Sequence, residues 1–212
     1  MNTGRTLKMI GAIRGRINEP SEQGLTNAQL LSFLNDAQME LCIELNDGAL
    51  AALKTSATVA LTLDEAAYAL PTTFMREQVL KYKTILARRW SVRELDALSG
   101  TNVLHEPTEG RPYYFLWNNQ LWIRAGTKTA GNYIFYYLAE PTDMTVLLDP
   151  SLPVEYDDML TTFAVSLCRE AQGQLAEAER MRQEFLGRCR VVNSRFGGAA
   201  PYDNVPGDRR VL

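Results

Sequence analysis

The sequence predicts an α+β protein: a helical bundle formed by both chain ends, an inserted antiparallel β domain and an extended C-terminal tail. Three observations carry this. Near both ends, apolar residues recur at spacings of three and four, the period of one helix face. From about Thr55 the period falls to two, as in half-buried strands. After Phe196-Gly197-Gly198 no period is visible and Gly, Pro and Asn become frequent, so this segment has little with which to order alone.

The first helix covers about Thr6 to Ile17, with Leu7, Ile10, Ile13 and Ile17 as its stripe. Its cations, Arg5, Lys8, Arg14 and Arg16, read as a solvated face. A loop from Asn18 to Gly24 follows. Thr26-Asn27-Ala28-Gln29 is a capping box, and the helix it starts has Leu30, Leu34, Ala37, Leu41 and Leu45 on one face. Leu31, Gln38 and Cys42 widen that face, and Asn46-Asp47-Gly48 is the stop.

Ala57, Val59, Leu61 and Leu63 then alternate with polar or small residues. Asp64-Glu65 turns the chain so that Ala67–Pro71 can pair back. Residues 74–98 fit either helix or strand: Val79, Tyr82 and Leu86 suit a helix, while Trp90, Val92 and Leu95 suit both. Tyr113–Trp117 and Leu121–Arg124 flank Asn118-Asn119-Gln120, a hairpin signal. Ala130-Gly131-Asn132 predicts a further turn before Tyr133–Leu138.

Leu152-Pro153 restarts helix, because proline fits a first turn where its missing N–H costs nothing. Glu155, Asp157 and Asp158 sit where the helix dipole favours carboxylates by about 0.3–1 kcal/mol each. Met159, Phe163, Ala164 and Leu167 form the expected buried stripe, and Gly173 marks a kink or turn. Beyond it, Leu175, Ala178, Met181 or Arg182, Phe185, Cys189 and Val192 recur at near-heptad spacing inside a mixed-charge outer face. The expected division is a helical domain over 1–54 and 152–196, a β domain over 55–151, and a tail over 197–212.

Composition narrows the function. The 212 residues are 46% hydrophobic and 22% charged, with net charge −3, so no global basic field advertises nucleic-acid binding. No apolar run approaches the roughly 20 residues of a membrane span. The first residues lack the apolar core of a signal peptide, which predicts synthesis in the cytoplasm. Three cysteines, Cys42, Cys168 and Cys189, lie in helical patterns without C-x-x-C spacing and read as buried small hydrophobes.

Residues arranged for chemistry are few. The one histidine, His105, reads as a loop bystander. No zinc ligand spacing, P-loop, dinucleotide fingerprint or nucleophile elbow is present. Asp64-Glu65 and Asp157-Asp158 are sequence neighbours that diverge, so neither is an acid/base pair by itself. The Tyr113–Trp122 hairpin has aromatic surface that nucleic-acid bases would stack on, but only Arg111 and Arg124 accompany it, which favours packing. These observations imply neither catalysis nor a cofactor. They fit an interaction protein whose tail orders on docking.

Four patterns in order carry a family resemblance: Leu25–Gln38; Tyr68-Ala69-Leu70-Pro71; the Tyr113–Ile123 hairpin followed by Tyr136–Met144; and Leu152-Pro153 leading into two helices, the second rich in Ala, Glu and Arg. Residues 74–100 carry no such pattern. In this order the chain resembles the head-to-tail adaptor proteins of tailed bacteriophages, particularly of short-tailed phages. The resemblance implies a virion structural protein at the head–tail junction, made in the host cytoplasm. It implies a ring, usually of twelve copies, beneath the portal protein. Tail tube, nozzle or fibre proteins would lie below, with DNA passing through the lumen unbound. Residues 197–212 would then dock on the portal, with Tyr202, Val205, Val211 and Leu212 as apolar anchors and Arg209 and Arg210 making polar or ionic contacts. Two rivals are a tail-associated peptidoglycan-degrading enzyme, which needs a glycosidase carboxylate pair, and a nucleic-acid-binding module using the basic first helix and the aromatic sheet.

Overall fold

In a computed structural model, which describes residues 4–19, 24–62, 67–91, 108, 110–124 and 131–197, the expected capping box is formed. Thr26 Oγ1 accepts from the Gln29 N–H at 3.2 Å, and Gln29 Oε1 accepts from the Thr26 N–H at 2.8 Å. It opens helix α2 (Asn27–Glu44), which follows α1 (Arg5–Ile17). Near the other end lie α3 (Asp157–Ala171), preceded by one 3₁₀ turn at Val154–Tyr156, and α4 (Leu175–Phe196). Between them, among the described residues, are the strands β1 (Lys54–Leu61), β2 (Ala67–Ala69), β3 (Phe74–Tyr82), β4 (Ile85–Leu86), β5 (Arg88–Arg89), β6 (Tyr113–Trp117), β7 (Gln120–Arg124) and β8 (Gly131–Ala139). The fold is thus α+β, with helices towards both chain ends. The described residues fall into two units, one within Met1–Leu53 and Pro141–Leu212, the other within Lys54–Glu140.

In the helical unit, α3 contacts α1, α2 and α4. That explains its burial pattern. The expected stripe named Phe163 and Leu167, which are only half-buried, whereas Leu160 and Val165 are fully enclosed. A helix packed on several sides also buries hydroxyls. Thr161 and Thr162 satisfy theirs on the carbonyls of Asp157 and Asp158, each at 2.7 Å. Gly173, at φ +76°, ends α3. Its N–H reaches Glu170 O at 2.9 Å and the Gln174 N–H reaches Arg169 O at 2.8 Å, the two bonds of a Schellman motif.

Two expectations for the helix faces are corrected. Leu7 is exposed and Met9 takes its place against the core, because Thr6 turns inward to bond Leu148 O at 3.1 Å. In α4 only Ala178, Phe185 and Cys189 are buried; Leu175 is exposed at the first turn. Pro141–Ser151, expected in the β domain, bonds to α1 and α2 instead. Gln38 Nε2 donates to Thr142 O at 3.0 Å, and Asn35 Oδ1 accepts from the Met144 N–H at 2.7 Å.

The β unit holds two four-stranded sheets, ordered β1-β8-β3-β4 and β2-β7-β6-β5. All pairs are antiparallel except β5 with β6. Leu80, Tyr133 and Phe135 of the first sheet and Tyr114, Leu121 and Ile123 of the second share one core, so the sheets face each other. Of the ambiguous 74–98 region, residues 74–82, 85–86 and 88–89 are strand, and 92–98 lie outside the described residues. Residues 74–82 pair with β8 through two register shifts, which disturbs the period-two signal.

The hairpin turn sits where expected, with Asn118 and Asn119 at φ 49° and 58°, the left-handed pair that a two-residue loop requires. Two strand expectations fail. Ala67–Ala69 pairs with β7 and not back onto β1, whose eight residues are all registered on β8. Gly131 and Asn132 begin β8 and are not a turn: a Cβ at Gly131 would lie 2.9 Å from the Tyr82 ring, so glycine here serves close packing inside a ladder.

Candidate docking segment and its base

The residues predicted to dock, Tyr202, Val205, Arg209, Arg210, Val211 and Leu212, lie outside the described residues, as do His105 and the Asp64-Glu65 pair. What is described is the base from which that segment departs.

The base is a reciprocal asparagine clamp between the ends of α2 and α4. Asn193 Oδ1 accepts from the Asn46 N–H at 2.8 Å, and Asn193 Nδ2 donates to Glu44 O at 2.8 Å. Asn46 Nδ2 returns a bond to Asn193 O at 3.1 Å, and Asn46 Oδ1 accepts from the Ala49 N–H at 3.0 Å. One side chain on α4 thereby takes up a terminal carbonyl of α2, which the helix itself leaves unpaired. Gly48 lets α4 approach: a Cβ there would stand 3.2 Å from Phe196 Cβ. Gly197 ends the helix where a Cβ would meet Asn193 O at 2.8 Å, too close without backbone movement. Phe196, half exposed, is the last ring before the tail.

Sequence reasoning read Asn46 and Gly48 only as a helix stop and passed over Asn193. An asparagine near a helix end carries no mark of a partner nearly 150 residues away.

Lys8 is exposed as expected, but the three arginines of the first helix are not a solvated face. Arg5 Nε donates to both Asp157 carboxylate oxygens at 2.7 and 2.8 Å, while its Nη1 and Nη2 donate to Leu152 O and Pro153 O, each at 2.7 Å. Arg14 is buried and bonds Asn27 Oδ1 and Leu25 O through Nη2, at 2.7 and 3.0 Å. Arg16 pairs with Asp158 and bonds Thr162 Oγ1 at 3.1 Å. Asp157 and Asp158, read as dipole partners, therefore also tie α3 to α1. Asp158 binds Arg188 of α4 as well. The Arg188 hydrogen bond, followed by Arg16, holds the Asp158 carboxyl below its usual value despite partial burial. Burial raises the Cys168 thiol to about 11 and the Cys189 thiol to about 12, so neither is a reactive thiolate.

Among the described residues, no group of three or more His, Cys, Asp or Glu is arranged to hold a metal ion, and no helix is long and apolar enough to cross a membrane.

Residues 6–201 match the family model described as SU10 adaptor protein. The chain belongs to that family. No curated protein matches it. As an SU10-family adaptor it is a phage structural protein with its place in the virion, and the family is structural and not enzymatic. The matched span covers both described units and the clamp at the base of the tail.

Proposed function

We propose that this adaptor is the ring-forming head-to-tail connector of a short-tailed phage. Identical copies, twelve in the virion, sit beneath the portal protein, receive the tail tube, nozzle or fibre proteins on the opposite side, and continue the channel for DNA. Residues 197–212 reach the portal, with Tyr202, Val205, Val211 and Leu212 seated in apolar sites and Arg209 and Arg210 in polar or ionic contacts. The family match over 6–201 carries this reading. The asparagine clamp supports it, since a docking tail gains from a fixed root. Repetition of the tail around a ring supplies avidity that one short segment lacks. The nucleic-acid reading loses its main support, because Arg5, Arg14 and Arg16 are engaged within the helical unit.

The experiment is a truncation. Removing residues 197–212 leaves a protein with unchanged helical content and melting, and abolishes its binding to purified portal. Unchanged affinity for portal would reject the tail as the docking element. Imaging the full chain on portal counts copies per ring; isolated single copies on the portal face would reject the ring.

A further inference from the structure

The segment after the β unit carries a turn that no internal need explains. Thr145 and Leu148 exchange backbone bonds at 3.1 and 3.3 Å, and Thr145 Oγ1 accepts from the Leu147 and Leu148 N–H groups at 3.2 and 3.0 Å. Its root is fixed as well: Met144 is buried and bonded through its backbone to Asn35, and Thr6 bonds Leu148 O and Asp149 Oδ1. This rigid turn presents three consecutive aliphatic residues to solvent, with Val146 49%, Leu147 95% and Leu148 46% exposed. Held turns are ordinarily polar, and adjoining exposed aliphatics mark a contact surface. Asp143 and Asp149 flank the tip, and no Lys or Arg lies between Pro141 and Ser151.

A groove of complementary character runs along α3 and α4. Met159, Gly187, Val191 and Val192 form its apolar floor, Glu184 and Arg188 bond each other at 2.7 Å along it, and exposed Arg195 adds a further cation. Its volume of about 330 Å³ suits a few side chains better than a large ligand. Gly187 keeps it open, since a Cβ there would touch nothing within 4 Å.

We propose that the Val146–Leu148 tip of one copy seats in the Met159/Gly187/Val191 groove of the next, with the acidic flanks of the tip facing Arg195. Tip and groove are different patches, so the contact is heterologous: it does not stop at dimers, and it gives a ring where its rotation closes. This rests on the ring reading above and names its contact.

Two experiments on the full chain test it. Mixing a Leu147→Cys chain with a Val191→Cys chain on portal and oxidising yields crosslinked dimers; neither chain alone yields them. The three native cysteines are buried and leave the assay clean. Separately, Gly187→Leu places a bulky side chain at the groove, starting from a Cβ that meets nothing within 4 Å. It retains or raises the melting temperature of the single chain and lowers ring formation at least tenfold. Rings of Gly187→Leu protein formed as readily as wild type would overturn the contact while leaving the ring intact. Wild-type rings without the mixed crosslink would overturn it too, assigning the groove to the tail segment or to the portal. Failure of the wild-type chain to form any ring would overturn the ring reading itself.

Discussion

The helical unit and the β unit solve the same problem with different chemistry. The β unit is built from one continuous stretch and is held by rings. Tyr82 stacks on Tyr133 at 4.6 Å, Phe135 forms a triangle with Phe74 and Tyr137 at 5.8 Å from each, and Trp90 meets Tyr113 at 4.4 Å. The helical unit joins segments more than 100 residues apart, and many of its long-range ties are polar: Arg5 to Asp157, Arg16 and Arg188 to Asp158, Asn46 to Asn193. Apolar contact is non-directional. Charged forks and amides specify partner and register. A bundle assembled from two distant pieces of chain therefore draws its specificity from directional bonds, while a contiguous sheet closes its ladders locally.

The sharpest way to break this comparison is to remove a ring. Phe135→Ala should cost about 3–5 kcal/mol, as large-to-small changes in a fully buried aromatic site do. Calorimetry should show the loss in the β unit's transition while the helical signal melts as before; loss of both together would show that the units do not unfold separately. Arg5→Met keeps the apolar stem and deletes the fork. It should cost about 1.5–3 kcal/mol, the range for hydrogen bonds to charged groups, and should accelerate amide exchange in α1 without affecting β8. Asn119→Ala, at φ 58°, should cost about 1 kcal/mol by placing a Cβ in left-handed backbone, seen as a lower denaturation midpoint.

The smallest effect separates the units by sign. Burial pushes the Glu77 carboxyl above its usual 4.5 against the pull of its Arg89 partner. As pH falls from neutrality, the folded β unit takes up that proton before the unfolded chain does, so this group adds stability down to about pH 4.5. Asp158, held low chiefly by Arg188, acts oppositely. Its contribution is complete above 3.8 and is lost as pH falls through the lowered native value. Melting each unit across this range should give slopes of opposite sign, and Glu77→Gln should flatten the first.

What could be read in advance depended on how local the cause was. Thr26 and Gln29 are three residues apart, and the Asn118-Asn119 turn is closed by its own neighbours, so both were legible. Arg5 and Arg16 were misread because partners such as Asp157 and Thr162 lie far along the chain, and Arg14 because its partners, Asn27 and Leu25, come into reach only when α2 packs beside α1. Gly131 was misread because its reason, the Tyr82 ring, lies on another strand. Residues 74–82 hid their strand behind two register shifts. The segment proposed to dock was singled out by composition alone, through its missing periodicity, and its residues 198–212 lie outside the described ones. The clamp beneath it was not legible, since it exists only when Asn46 and Asn193 meet.

The turn between α3 and α4 has one more consequence. Proteins that gather identical copies at high local concentration risk exchanging a terminal helix with a neighbour, and the hinge loop decides whether they do. Here exchange would require straightening Gln172–Gln174. That would break the N–H bonds of Gln172, Gly173 and Gln174 to Cys168, Glu170 and Arg169. It would also pull Arg169 from Gln172 and Gln174, whose side-chain oxygens it bonds at 3.3 and 2.9 Å. The turn therefore opposes such an exchange: its bonds hold α4 folded back on its own chain.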